Sequence, residues 1–356
     1  MTTMKEIAER TGVSVSSVSL VLNGRDAGRV KPDIARKVRA VADALGYKPN
    51  PLARSLRTSR TRILGFVSEE IATTPFAGGI ILGAQDAASA AGYMMITVNV
   101  DGRTNESEEI AALKRYGVDG FLYAKMSNRV TDVPESLADY PTVLVDATDR
   151  AGMVPSVTPD EVGIGYDATK RLIDAGCTRI AYVGCSRPMV AQTLRFQGYR
   201  RALEEAGLPF DDRLTVNVMF HKPAQDAVDR LIGEQRPDGV FCWNDARAMY
   251  AYQSALKLDL VIGRDLSVVG VDNHRLLAET LVPELTTVEL PHYEMGYWAT
   301  RKVISLIEGT DDGTKGSLAG APEPRTTAPL PPLANPDGSV ATRIRCTLIE
   351  KDSVAA

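Results

Sequence analysis

The stretch that decides the fold is residues 4–23, MKEIAERTGVSVSSVSLVLN. Thr3 just before it and Glu6 in its first turn form a capping box, which predicts that a helix begins at this point. Gly12 then ends that helix, and Ser14 can cap a second one, because its hydroxyl can accept a hydrogen bond from a free first-turn amide. The stretch therefore predicts two short helices joined by a turn.

The second predicted helix, residues 15–23, has two different sides on a helical wheel. The apolar side contains Val18, Val21 and Leu22. The opposite side contains Ser16, Ser19, Leu20 and Asn23. Hydroxyl and amide groups with almost no charge suit insertion into a DNA major groove, where bases offer donors, acceptors and thymine methyls. An ordinary helical hairpin with one polar face would show the same pattern.

A third amphipathic helix is predicted directly downstream. Pro32 suits its first turn, apolar residues recur with helical spacing, and Gly46 ends the run. Those apolar residues are Ile34, Val38, Val41 and Leu45. The helix completes a small three-helix bundle. Residues 47–62, YKPNPLARSLRTSRTR, follow it, and there two prolines interrupt the chain and four arginines surround two leucines.

The stretch MKEIAERTGVSVSSVSLVLNG, followed by GYKPNPLARSLRT, resembles the headpiece and hinge of the lactose and galactose repressor (LacI/GalR) family. The resemblance implies that the second helix lies in the major groove and that a hinge helix forms on the operator, with Leu56 wedged into the minor groove. Many members carry arginine or histidine at the position of Leu20, so we expect an unusual operator half-site. The expected DNA-binding residues are Thr3, Ser14, Val15, Ser16, Ser17, Ser19, Leu20, Asn23, Ala53, Leu56 and Arg57.

Net charge is divided unevenly along the 356 residues. Residues 1–62 contain 13 Lys and Arg against 5 Asp and Glu, which gives +8, whereas the rest contains 28 against 40, which gives −12. A basic end on an acidic body is typical of a protein that binds phosphates at one end. We therefore expect a helix-turn-helix DNA-binding headpiece at 1–48, a hinge helix or linker at 49–62, and an effector-binding and dimerisation domain at 63–356.

Beyond residue 62, short apolar runs alternate with helical segments. The predicted strands are 63–67, 93–100, 120–124 and 142–145, then 179–184, 214–218, 239–243 and 267–271. The predicted helices lie near 79–91, 106–116, 162–175, 196–206, 223–234, 246–258 and 293–307. Two such series predict an α/β fold with two doubly wound lobes of the periplasmic-binding-protein type. We expect the first lobe at 63–160 with 291–308, the second at 161–290 with 342–356, and a flexible loop at 309–341.

Polar side chains follow several of the predicted strands. Asp146, Asn244, Asp245 and Asp272 come after strands, and Arg195 opens a predicted helix. Ligands of open α/β sheets bind outside the carboxyl ends of the strands, so these groups should converge on the cleft between the lobes. Carboxylates, an amide and a guanidinium can each engage neighbouring hydroxyls of a polyhydroxylated ligand. Any one of them, Asp245 above all, could instead simply cap a helix.

The family resemblance extends to about residue 307. The motifs RFQGYRRAL, WNDARAMYA and SVVGVDN resemble effector-pocket motifs of the family, which implies sugar-binding roles for the arginine, asparagine and aspartate. The full expected effector-binding set is Phe76, Asp146, Arg195, Trp243, Asn244 and Asp272. Met189 and Ala191 occupy places where purine-binding members carry other residues, so a sugar or sugar derivative is favoured over a nucleobase co-repressor.

Several protein classes fit the sequence poorly. No run of 18 apolar residues and no apolar export signal is present, which argues against a membrane protein and against an exported sugar carrier and predicts a cytoplasmic location. Neither a Gly-rich phosphate loop nor HExxH occurs, so we expect no enzyme and no cofactor. The four cysteines lack metal-ligand spacing, so we expect no metal.

These observations predict a ligand-responsive transcription repressor. The expected partners are a pseudo-palindromic double-stranded operator, a sugar effector that releases the repressor from carbohydrate transport or catabolism genes, and a second copy of the chain. No leucine heptad follows the final strand, so a homodimer is expected rather than a tetramer.

Overall fold

The computed structural model describes residues 2–47, 60–74, 77–101, 105–310 and 341–355. The chain forms two compact units that meet in sequence between Thr61 and Arg62. Four of the residues expected to bind DNA or effector lie outside the described ranges: Ala53, Leu56, Arg57 and Phe76. So do residues 311–340 of the expected C-terminal loop.

The first unit is a bundle of helices α1 (Met4–Thr11), α2 (Val15–Leu22) and α3 (Pro32–Ala44). Thr3 Oγ1 accepts a hydrogen bond from the amide of Glu6 at 3.3 Å. Helix α1 ends at Gly12, whose φ of 74° lies in the left-handed region that glycine adopts without strain. Ser14 Oγ accepts a hydrogen bond from the amide of Ser17 at 3.1 Å and so caps α2. The predicted helix-turn-helix is confirmed.

The core of this bundle is small and apolar. Ile7, Val18 and Val38, one from each helix, are fully buried. Burial of such a side chain contributes about 1.5–3 kcal/mol to folding. Val21 is buried as the helical wheel predicts, whereas Leu22 is only half-buried. Because its core residues come from all three helices, the bundle can hold α2 in a fixed orientation.

The described residues of the second unit form two six-stranded sheets. The first is built from β1 (Ile63–Glu69), β2 (Met94–Val100), β3 (Gly120–Thr131), β4 (Thr142–Asp149), β5 (Ser156–Pro159) and β11 (Ala341–Ile344). The strand order is β11-β5-β4-β3-β1-β2, and every pair is parallel. Its helices are α4 (Gly78–Ala90), α5 (Glu106–Arg115) and α11 (His292–Glu308).

The second sheet is built from β6 (Ile180–Cys185), β7 (Thr215–Val218), β8 (Gly239–Cys242), β9 (Ser267–Asp272), β10 (Thr286–Glu289) and β12 (Thr347–Ile349). Its order is β12-β10-β9-β8-β6-β7, and only the β10–β12 pair is antiparallel. The accompanying helices are α6 (Glu161–Asp174), α7 (Val190–Glu205), α8 (Lys222–Gln235), α9 (Asp245–Lys257) and the short α10 (Arg275–Ala278). The predicted α/β fold with two doubly wound lobes is confirmed.

Within the described residues, the chain passes between the two sheets three times. It crosses from β5 to α6, from β10 to α11, and from β11 to β12. The last crossing corrects the expectation that 342–356 belongs wholly to the second lobe, because Ala341–Ile344 pairs with β5 of the first sheet. Strand β11 is four residues long and directly precedes β12. The sequence pattern of the two together therefore indicates one continuous strand.

Three further features differ from the sequence prediction. Strands β5 and β10 were not predicted, because four residues are too short to display a period of two. Helix α7 begins at Val190 rather than near residue 196, since the residues after Pro188 contain no helix breaker. Arg195 therefore lies in the second turn of α7 and does not open the helix. The position of Arg195 within the helix determines which groups its side chain contacts.

Candidate functional site

The outer side of α2 presents a set of small polar and apolar groups. Val15 is 45% exposed, and Ser16 and Asn23 are exposed, whereas Ser17, Ser19 and Leu20 are half-buried. Ser14 and Ser17 share a hydrogen bond between their hydroxyls at 3.0 Å. The Asn23 amide donates to the backbone oxygen of Ser19 at 2.6 Å. Val15 and Ser16 are thus exposed candidates for contact with bases, and Thr3 and Ser14, which are also exposed, serve as helix caps.

A cavity opens in the second unit between the carboxyl ends of the two sheets, where the topology of open α/β sheets places ligands. It encloses about 370 Å³, its open mouth included. Four of the predicted effector-binding residues line it: Asp146, Arg195, Trp243 and Asp272. The other lining residues are Met126, Ser127, Pro159, Glu161, Leu290 and His292. Both lobes therefore contribute to the cavity wall.

Asp146 lies on β4 with a strained φ of 50° and is 4% exposed. Its carboxylate oxygens accept hydrogen bonds from the amides of Ser127 at 2.8 Å and Asn128 at 2.9 Å. Both donors also have positive φ, so β3 directs two successive amides at one anion. Burial, together with the charge of Glu161, raises the pKa of Asp146 to about 7. Near neutral pH this carboxyl can therefore donate or accept a hydrogen bond.

Arg195 forms a buried ion pair with Glu161 at the base of the cavity. Its Nε donates to Glu161 Oε2 at 2.6 Å, and its Nη1 donates to the backbone oxygen of Trp243 at 2.6 Å. Burial alone lowers the pKa of Arg195, but the carboxyls of Glu161 and Asp272 raise it above its ordinary value. The guanidinium is therefore a permanent cation.

Close helix packing makes this ion pair possible. Gly165 of α6 lies against the backbone of Arg195, and Gly198 of α7 lies against that of Val162. A Cβ at either glycine would come within 1.9 Å or 2.1 Å of a backbone oxygen. Only glycine permits so close an approach of the two helices, and that approach brings Glu161 within reach of Arg195.

Asp272 ends β9 with a φ of 109°, a backbone conformation that side-chain-bearing residues rarely adopt. Burial, followed by the nearby charge of Asp245, raises its pKa well above the ordinary value. Asp245 itself accepts hydrogen bonds from Thr287 Oγ1 at 2.6 Å and from the amide of His274 at 2.7 Å. It does not cap α9 as the sequence suggested. Instead, it fixes the loop that follows Asp272.

Asn244 performs that capping role. Its side-chain oxygen accepts hydrogen bonds from the amide of Arg247 at 3.2 Å and from Arg247 Nη1 at 3.0 Å. Asn244 is 6% exposed and is not among the residues that line the cavity. The sequence placed it in the effector-binding set. In the structure it is the N-cap of α9.

Trp243 is bordered by two guanidinium groups. The Cζ atoms of Arg195 and Arg247 lie 4.8 Å and 4.9 Å from its ring centroid, which is the range of cation–π contacts. Burial lowers the pKa of Arg247, whose Nη2 donates to the backbone oxygen of Val218 at 3.0 Å. The indole Nε1 is buried and has no hydrogen-bond partner among the described residues. The indole therefore holds a buried donor without a described partner, and its ring already contacts two cations.

The sequence missed several cavity residues. Glu161 directly follows Asp160, which caps α6, and the pair looks like an acidic first turn of a helix. His292 and Leu290 flank a proline at the start of α11 and carry no motif. Only the distance of Glu161 from Arg195 reveals its role. Among the described residues, no group of three or more acidic, histidine or cysteine side chains could hold a metal ion.

No helix of the described chain combines the length and apolar character needed to cross a membrane. Two family models match the sequence. One, described as bacterial regulatory proteins of the lacI family, covers residues 3–50, and the other, described as a periplasmic binding protein-like domain, covers residues 169–327. The first falls on the helix-turn-helix bundle and the second reaches across most of the second lobe.

The chain is similar to known regulators over most of its length. The HTH-type transcriptional regulator RegA of Clostridium saccharobutylicum is 35% identical over 86% of this chain and 92% of that protein. The ribose operon repressor of Escherichia coli (strain K12) is 33% identical over 86% and 93%. A solved complex of the transcriptional regulator CelR with cellobiose is 28% identical, with a TM-score of 0.62 over 99% of this chain and 100% of the other. The chain therefore belongs to the lacI family of bacterial regulatory proteins and is a DNA-binding transcription regulator, not an enzyme.

Proposed function

We propose that this regulator represses carbohydrate transport or catabolism genes and is released from its operator by a sugar bound in the cavity. The observation that carries the proposal is the make-up of the cavity wall. Asp146, Glu161 and Asp272 bring carboxyl groups to the wall, and Arg195 brings a guanidinium. Vicinal hydroxyls match this set, because each can donate to a carboxylate while accepting from a cation.

The aromatic content of the wall favours a sugar over a nucleobase. A flat base gains much of its affinity by stacking on an aromatic face or a guanidinium plane. Of the two rings among the described lining residues, the indole of Trp243 is already in contact with Arg195 and Arg247, and the smaller imidazole of His292 is the other. The names of two relatives, a ribose operon repressor and a regulator bound to cellobiose, agree with this preference.

On the DNA side, we propose that α2 reads the major groove through Val15, Ser16 and neighbouring residues. A homodimer would place two such helices on a pseudo-palindromic operator, since half-site spacing follows from two-fold symmetry. Leu56 of the expected hinge would wedge into the minor groove between the half-sites. A cytoplasmic location follows from this role.

The operator can be identified without knowledge of the effector. Fragmented genomic DNA would be selected with the purified full-length chain at near-physiological salt, because phosphate contacts make affinity depend strongly on salt. We expect enrichment of one pseudo-palindrome beside sugar transport or catabolism genes. Enrichment beside nucleotide-synthesis genes would support the nucleobase alternative. Binding without any preferred sequence would contradict the assignment of α2 as a reading helix.

The effector is then sought by calorimetric titration of neutral sugars and nucleobases into the same chain, with operator binding measured in parallel by fluorescence anisotropy. Linkage requires that a ligand which weakens operator binding must bind the operator complex more weakly by the same factor. We expect a sugar to show both effects, with a coupling of about 1–3 kcal/mol. A nucleobase that binds and tightens the operator complex would overturn the sugar proposal.

A further inference from the structure

The cavity and the residues directly behind it contain more acids than bases. Four carboxyl groups come together in this region, those of Asp146, Glu161, Asp245 and Asp272. They face two guanidiniums, those of Arg195 and Arg247. A buried carboxylate without a cation is costly, so an excess of acids requires compensation from protons, hydrogen bonds or a ligand.

Contacts within the protein compensate only part of this excess. Arg195 pairs with Glu161 at 2.6 Å. Asp245 is satisfied by a hydroxyl and an amide, and it does not line the cavity. Arg247 donates hydrogen bonds to the backbone oxygens of Gly184 and Val218 and to the Asn244 side chain.

Two cavity carboxyls are left without a pairing cation. Asp146, from the first lobe, is held by two backbone amides, and Asp272, from the second lobe, has neighbouring charges but no salt bridge in the described chain. Arg195 and Glu161 are the charged groups that influence Asp146, and His292 is the remaining titratable group on the cavity wall. Lys351 lies behind the wall, where it donates to Asn273 at 3.4 Å.

We propose that the effector carries a cationic amino group beside its hydroxyls, as an amino sugar does, and that Asp146 and Asp272 receive that ammonium. The inference rests on the proposed sugar response and names its chemical class. An ammonium supplies three donors and the missing positive charge, so it stabilises the ionised form of both aspartates. Sugar phosphates and sugar acids are excluded by the same charges, since a further anion would face the two carboxyls.

The raised pKa values of both aspartates support this reading. Burial raises the pKa of both carboxyls, because it disfavours their charged forms. A neutral sugar can use such a carboxyl only as one more hydrogen-bonding group. A cationic ligand gains a charge-assisted hydrogen bond in addition, which is roughly twice as strong as a neutral one.

The test compares matched sugars by calorimetry on the full-length chain at pH 7. For glucose, galactose and mannose, the parent sugar, the 2-amino sugar, its N-acetyl derivative and the 6-phosphate are each titrated. N-acetylation is the key control, because it retains the nitrogen and removes the charge. We expect the amino sugar of at least one set to bind at least about tenfold more tightly than its N-acetyl derivative, which corresponds to about 1.4 kcal/mol. The 6-phosphate should bind more weakly than the parent.

Variants assign the preference to the two aspartates. Asp272→Asn should reduce the ratio of amino-sugar to N-acetyl-sugar affinity at least fivefold, and Asp146→Asn should do the same if it folds. Glu205→Gln, which removes an exposed carboxyl of α7, should leave the ratio unchanged. Equal or tighter binding of the parent or N-acetyl sugar overturns this inference while the sugar response stands. Binding of nucleobases alone, or of no sugar in any set, overturns the proposed function itself.

Discussion

The headpiece and the cavity place their candidate functional groups in opposite environments. In the headpiece, Val15 is 45% exposed and Ser16 is exposed, on a helix that is held from behind by a fully buried Val18. In the cavity, Arg195 and Asp146 are only 3% and 4% exposed, and each makes buried hydrogen bonds, to Glu161 and to the amide of Ser127 respectively. Substitutions in the headpiece can therefore change DNA binding without changing stability, whereas substitutions in the cavity should change ligand binding and stability together.

The largest expected effect of breaking this arrangement comes from Arg195→Ala. The variant leaves the carboxylate of Glu161 buried without its cation, and removal of one partner of a buried pair costs about 3–5 kcal/mol. We expect urea unfolding of the full-length chain to show a loss of this size in the second unit. Adding Glu161→Gln to Arg195→Ala should recover part of it. A double variant no more stable than the single one would contradict the pairing.

A somewhat smaller change in stability is expected when the pH is raised through the pKa of Asp146. Its pKa of about 7 in the folded chain lies above the ordinary 3.8, so the folded state holds this proton more tightly than the unfolded state. Stability from this group is therefore complete at low pH, falls as pH rises from about 4 to about 7, and is level above that.

Asp146→Asn removes that titration, so its stability relative to the natural chain should rise by about 2–3 kcal/mol between pH 5 and 8, at 1.36 kcal/mol per pKa unit. Unfolding midpoints of both proteins at pH 5, 6, 7 and 8 give this difference. Asp245, with a pKa also raised to about 7 by burial, titrates in both proteins and cancels. A difference that does not change with pH would show that Asp146 is ionised throughout the range.

In the headpiece, Ser14→Ala should cost about 1 kcal/mol, because the variant removes the hydroxyl that accepts from the amide of Ser17. Hydrogen exchange of α2 amides in the full-length chain measures this loss locally. Ser14→Asn retains a capping oxygen and should stay within a few tenths of a kcal/mol of the natural chain. Equal exchange in all three proteins would mean that the cap does not limit the stability of α2.

The smallest expected effect on stability comes from Ser16→Ala, a substitution at an exposed position that should change the free energy of unfolding by less than about 0.5 kcal/mol. Operator affinity, measured by fluorescence anisotropy on the selected DNA, should nevertheless fall about fivefold to tenfold, the worth of one hydrogen bond to a base. Ser89→Ala on α4 serves as the control, since Ser89 is exposed on the second unit. Unchanged operator affinity for Ser16→Ala would remove Ser16 from the reading face.

Sequence alone was sufficient for the headpiece because its determinants are local. The Thr3 cap, the glycine at position 12 and the spacing of Val18 and Val21 lie within one stretch of twenty residues and act on their own helices. The alternation of strands and helices likewise gave both lobes of the body. Short strands such as β5 escaped, because four residues have too little periodicity to be recognised.

The cavity was predicted only in part because its contacts join distant residues. The ends of strands predicted Asp146 and Asp272 correctly as lining residues, since the topology of parallel sheets fixes where strands end. Glu161 pairs with a residue 34 positions away, through helices whose close contact depends on Gly165 and Gly198. Asn244 does not line the cavity, because its side-chain oxygen accepts a hydrogen bond from Arg247, three residues further along the chain. No local pattern contains the Glu161–Arg195 pair, whereas the contact of Asn244 is a helix cap that the sequence suggested for Asp245.

The three passages of the chain between the sheets link the two lobes covalently, and closure of two lobes around a ligand bends the chain at links of this kind. Pro159, Glu161, Leu290 and His292 lie on or beside two of those passages, and all four line the cavity. A molecule in the cavity therefore contacts the linking segments as well as the two lobes. Displacement grows with distance from a rotation axis. A small rotation about the linking segments would therefore become a large movement at the far rim of each lobe.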